Sequence, residues 1–172
     1  MENSPSIKPI AYTYGLLLAA YTILVLVLIY AFNLSQENWI LSVVNIVVTI
    51  AILSMAIKSY KSKNNNYLSI KEALKVGLAT AAIGGLVGAI YAYVHYSFIY
   101  PEFIDIVKET AYQNMSDQGL TDSQIETNMK MTEFTMKPWF FATMTLISSL
   151  FFGLLISLIA GAIMKKKDPA LG

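Results

Sequence analysis

The single histidine, His95, stands in YAYVHYSFIY with Tyr91, Tyr93, Tyr96 and Tyr100 around it. An imidazole near the end of a lipid-crossing segment could relay protons or ligate a metal. A relay needs an acid inside the membrane, and no uncharged stretch of this chain supplies one. His95 therefore reads as an interfacial side chain, hydrogen-bonded to a neighbour or to a lipid headgroup. Ser42, Asn45 and Thr49 fall at i, i+3 and i+7, on one face of a helix. In a membrane such groups hydrogen-bond to an adjacent helix or line a path for a polar solute. Met129, Met131 and Met136, in MKMTEFTM, offer soft thioethers that suit Cu(I). On a helix Met129 and Met131 diverge while Met129 and Met136 share a packing stripe, so core filling is the better account. The acids Glu102, Asp105, Glu109, Asp117, Asp122, Glu126 and Glu133 form a solvated face without the spacing of a calcium loop.

No catalytic signature is present: no HExxH, no GxSxG, no P-loop, and no GxGxxG after a strand. Gly84, Gly85 and Gly88 lie in an apolar run, where a phosphate cradle would be unphysical. The absence of cysteine removes disulfides, thiolate metal sites and a cysteine nucleophile. All twelve basic side chains are lysine. Nucleic-acid readers and anion clamps lean on the planar fork of arginine, so both classes are disfavoured. The expectation is a non-enzymatic chain with no catalytic residues, no metal, no cofactor and no nucleic-acid partner.

Four long uncharged segments must carry these residues. Over 172 residues the mean hydropathy is +0.56 and 56% of side chains are hydrophobic, too apolar for an ordinary soluble domain. Spans are expected at about residues 10–32, 39–57, 74–100 and 138–164, each long enough to cross a bilayer as a helix. The first is too long for a cleaved signal and lacks a small-residue cleavage site, so it reads as retained. The second is rich in Val and Ile, but its length excludes a buried strand. The third organises the chain through two ladders of small residues. Gly77, Ala81, Gly85 and Ala89 make one; Thr80, Gly84, Gly88 and Ala92 make the other. In water each such glycine would weaken a helix by about 1 kcal/mol relative to alanine, whereas in lipid it admits a close neighbour. Thr145, Ser149, Gly153, Ser157 and Gly161 repeat the device in the fourth span, which makes spans three and four the natural close pair. Ala11, Gly15 and Ala19 form a shorter ladder in the first.

Ser69 to Glu72 matches a capping box that starts the third helix at Ile70, and Pro101 breaks it. Between the last two spans, residues 101–137 predict a helical hairpin. Phe103, Val107, Ala111 and Met115 stripe its first helix, Gly119 stops it, and a capping box from Thr121 to Gln124 starts the second. The fold class is an all-α integral membrane protein: a four-transmembrane-helix bundle with an extracytoplasmic helical hairpin between spans three and four, in one membrane domain, 1–172.

Charge orients it. Both ends and the link at 58–75 hold nine lysines against three acids; the other side holds three lysines against eight acids. The positive-inside rule then places both termini in the cytoplasm. Tyr30, Phe32, Trp39, Tyr93, Tyr96, Tyr100, Trp139 and Phe140 cluster at the opposite ends, as an interfacial belt requires.

With four spans, the glycine run within Ala73 to Gly88, YVHYSFIYPEF, KPWFF and the closing LISLIAGAIMKKK, nearly the whole chain resembles the domain-of-unknown-function 4199 family. The resemblance implies a small bacterial inner-membrane protein, of a kind found chiefly in Bacteroidota, with this topology and no established activity or functional residues to carry over. The first expectation for function is an accessory or scaffold protein. It would sit in the lipid bilayer and associate as a homo-oligomer or in a larger membrane complex through the helix faces at Gly77, Ala81, Gly84, Gly85, Gly88, Ser149, Gly153, Ser157 and Gly161. The alternative is a small-solute or lipid transport subunit whose polar path, Ser42, Asn45, Thr49 and His95, runs between spans two and three.

Overall fold

Apolar sequence in lipid must satisfy its backbone hydrogen bonds internally, which a helix does within a single segment. The computed structural model describes residues 5–34 and 39–166. They form α1 (Lys8–Ala31), α2 (Trp39–Lys63), α3 (Ile70–Val94), α4 (Glu102–Asp117), α5 (Asp122–Thr132) and α6 (Pro138–Met164). A π-helical turn at His95–Ile99 prolongs α3, and a 3₁₀ turn at Glu133–Met136 precedes α6. Four helices, α1, α2, α3 with its π turn, and α6, are long and apolar enough to cross a membrane. This is the expected all-α membrane architecture. Lys167 and the acids Glu2, Glu37 and Asp168 lie outside the described residues.

The ends follow local chemistry. At the end of α1, Asn33 takes a positive φ of 48°, and Leu34 N–H and Asn33 N–H donate back to Ile29 O and Tyr30 O. That is a Schellman stop with asparagine in the glycine position. Helix α2 outruns the expected residue 57 because Lys58 and Ser59 do not break it and Tyr60 is buried; Asn65 and Asn66, both at positive φ, end it. Glu72 caps α3, accepting from Ser69 N–H at 2.8 Å and Ser69 Oγ at 2.7 Å while Ser69 Oγ accepts from Glu72 N–H.

The chain divides into two compact units, residues 1–88 with 146–172, and 89–145. In the first, the two ladders of α3 meet different helices. Gly77 and Gly85 face Ser157 and Ser149 of α6, and Gly153 of α6 faces Ala81. Ser149 Oγ donates to Ala81 O at 2.8 Å, a bond across the helix contact. Gly84 faces Gly15 O and Leu18 of α1, and Gly15 faces Ile83 and Thr80 O. Spans three and four are thus a close pair, as expected, but Gly84 and the Thr80 carbonyl of the second ladder also meet α1 closely. Helix α3 is the spine of this unit.

The core of the unit gathers at one end: Ile10, Ala56, Ile57, Tyr60, Leu68, Ala73, Val76 and Ala160. That end is tied further by Lys61 Nζ donating to Met164 O at 2.7 Å and by a backbone bridge between Leu68 and Lys166. The lysine caps orphan carbonyls at the end of α6.

In the second unit, Tyr96 stacks on Phe103 with ring centroids 4.7 Å apart, and Phe141 closes the cluster. Tyr96 is therefore buried, not part of an interfacial belt. The α4–α5 hairpin turns at Gly119, whose φ of +80° excludes most side chains. The capping box at Thr121 and Gln124 is present, and Ile125 packs inward.

Candidate functional site

A concavity lies between α1 and α2. Every buried residue of α1 belongs to its first half, Ile10 to Ala19, and every buried residue of α2 to its second, Ile52 to Tyr60. The helices run in opposite directions, so these halves meet at the lysine-rich end. The remaining halves carry Tyr21, Val25, Leu26 and Ile29 against Leu41, Ser42, Asn45 and Thr49, and between them opens a groove of about 300 Å³.

Ser42, Asn45 and Thr49, which share a face by spacing, are brought together in this groove. Their partner is α1, not span three, and His95 is not among the lining residues. Tyr21 Oη donates to Asn45 Oδ1 at 2.7 Å, spanning the two helices. Thr22 Oγ1 donates back to Leu18 O at 3.0 Å, leaving its lone pairs toward other donors. Asn45 engages no described residue through its amide N–H groups. Tyr21 was not among the sequence candidates. The available signal was a phenol midway along an otherwise aliphatic span, where buried tyrosine hydroxyls usually find a partner.

His95 is 1% exposed, too enclosed to meet a lipid headgroup, which leaves a neighbouring group as the expected partner. Its ring lies edge-on to Tyr96 at 5.2 Å and to Tyr100 at 6.2 Å, and tilted to Tyr91 at 5.6 Å. Its carbonyl accepts from Tyr100 N–H at 2.7 Å, closing the π turn. The widening has a local cause: Pro101 drives Tyr100 out of helical geometry, to φ −135°.

The other candidates separate. Met136 is buried, whereas Met131 is 70% exposed, so the thioethers do not converge. The seven hairpin acids are exposed, and Glu126 and Glu133 pair with Lys130 and Lys137 along their own helical turns. No group of three His, Asp or Glu side chains is placed to hold a metal among the described residues. Outside the spans, Asp122 lies beside Tyr112, accepts its hydroxyl at 3.2 Å and pushes its pKa above the ordinary 10.0.

Four apolar helices, a glycine-lined spine and charged side chains confined to the ends and the hairpin define a multi-pass α-helical membrane protein. The chain belongs to the family described as Protein of unknown function (DUF4199), whose model matches residues 13–166. No curated protein and no solved structure matches it.

Proposed function

We propose that the chain is a non-enzymatic accessory or scaffold protein of a bacterial inner membrane. Both termini are cytoplasmic and the α4–α5 hairpin is extracytoplasmic. The observation that carries this is the double grip on α3: Gly84 is taken up by α1, and Gly77, Ala81 and Gly85 by α6, within the chain. These positions are spent on a fixed helix block, and among the described residues no acid or base lines the groove to run chemistry. Association with a second copy or a larger complex then falls to surfaces other than those ladders. Native-membrane nanodiscs test it: the purified particle should contain more than one 19.0 kDa chain, or a companion at fixed stoichiometry. A lone chain would overturn it. Orientation has its own test, because the chain has no cysteine. Gln118→Cys should react with an impermeant maleimide in intact spheroplasts, and Lys63→Cys should not.

A second function, a small-solute or lipid transport subunit, is favoured by one observation: Ser42, Asn45 and Thr49 line a shared groove with Tyr21. The path would run between α1 and α2. Flux into liposomes that responds to Asn45→Leu would support it.

A further inference from the structure

A concavity of about 300 Å³ between two membrane helices holds something that lipid solubility permits. A transmembrane helix is excluded by size, since with side chains it is about 10–12 Å across. The polarity of the walls narrows the choice. Toward its inner end the groove has Tyr21, Thr22, Asn45 and Thr49; toward its outer end it has Val25, Leu26, Ile29 and Leu41, with Ser42 the one polar side chain there among the described residues. Asn45 stands about 9 Å along α2 from Trp39, below the level where ester and phosphate groups of bilayer lipids lie. Its carbonyl is taken by Tyr21, and its amide donors engage no described residue. In hydrocarbon a donor without an acceptor is costly. Among the described residues no Lys, His, Asp or Glu lines the groove.

We propose that the α1–α2 groove binds an uncharged lipid-soluble molecule bearing a carbonyl. The carbonyl accepts hydrogen bonds from the Asn45 amide and the Thr49 hydroxyl, and the apolar body lies along Val25, Leu26 and Ile29. This rests on the groove of the transport reading but not on transport, since a site can be occupied without anything crossing. The shape fits one chain with one acceptor.

The test uses the full chain in phospholipid nanodiscs with a long-chain fatty acid methyl ester carrying a diazirine in its acyl chain. After irradiation, adducts should map to residues 21–29 and 41–49 and saturate with probe. Unlabelled methyl ester should compete. Asn45→Leu and Thr49→Val should each lower the adduct at least threefold, about the factor carried by an average hydrogen bond between membrane helices. Thr49→Val, nearly isosteric, keeps the test open if Asn45→Leu loses its monodisperse elution. Adducts spread along all the spans, a yield unchanged in both variants, or equal groove labelling by a diazirine phosphatidylethanolamine would each overturn the proposal. Saturable labelling with no flux into liposomes would sink the transport function and leave the site standing.

Discussion

Gly153→Ala should push α6 away from α3. A Cβ at position 153 would overlap the Cβ of Ala81. Carbon atoms pack at about 3.5–4.0 Å, so the two helices must separate locally by about 1 Å or more. No rotamer relieves this, because both atoms are fixed to their backbones. The shift also draws Ser149 Oγ from Ala81 O, now 2.8 Å away. Overpacking of this kind costs about 1–3 kcal/mol, and a bond between membrane helices adds about 0.6. Reversible unfolding in mixed detergent micelles, followed by helicity, measures the loss. The decisive variant is the double one, Ala81→Gly with Gly153→Ala, which moves the methyl group from one helix to the other. It should recover about 0.5–3 kcal/mol of coupling. If Gly153→Ala stays within about 0.5 kcal/mol of the parent, or the double variant is no better than the single, the close crossing of α3 and α6 is wrong.

Tyr21→Phe removes only the hydroxyl that bridges α1 to α2, and should cost about 0.6 kcal/mol, at most about 1.7, in the same unfolding experiment. Glu72→Ala removes the acceptor for Ser69, Tyr60 and Asn64 together and should cost about 1–2 kcal/mol, with Glu72→Gln retaining part of it. Tyr112 should titrate above the ordinary 10.0, because Asp122 disfavours the phenolate beside it. Its folded pKa is raised, so its contact with Asp122 contributes below about pH 10 and is lost as pH climbs through the folded value. Tyrosine ring carbon shifts followed by NMR would show this, and Asp122→Asn should return the midpoint toward 10.0.

The long elements were legible because lipid leaves so few solutions. Pro138 and Met164 bound α6 as the sequence implies, and the capping boxes at Ser69 and Thr121 start their helices. The ladders were legible as surfaces for close approach, but not in their partners. Glycine says that a neighbour may come near, and nothing about which one. Ala11, Gly15 and Ala19 carried the missing information, since a third ladder in α1 needs a mate and Gly84 supplies it. The candidate site was half legible. Three polar residues at helical spacing marked the face of α2, while its partner depended on Tyr21, a single residue with no periodicity to announce it. Of the two partners expected for His95, the headgroup drops out, because the π turn before Pro101 packs Tyr96 and Tyr100 against the imidazole.

The groove itself follows from an unequal distribution of side-chain size. Ala11, Gly15 and Ala19 let α1 close on its neighbours in its first half, and Ala56, with Leu53 and Ile57, does the same for α2 in its second. Beyond them α1 continues as Val25, Leu26 and Ile29, and α2 begins as Leu41, Ser42 and Asn45, with no glycine or alanine on the facing side. Bulky side chains hold two helices apart, and small polar ones opposite them leave the gap unfilled. A pair of helices cannot be drawn together at one end by ladders and spaced at the other by aliphatic residues without opening a wedge between them. Here the wedge is walled by lipid-compatible side chains and furnished with hydrogen-bonding groups, which makes it a place for a ligand and not merely a packing fault.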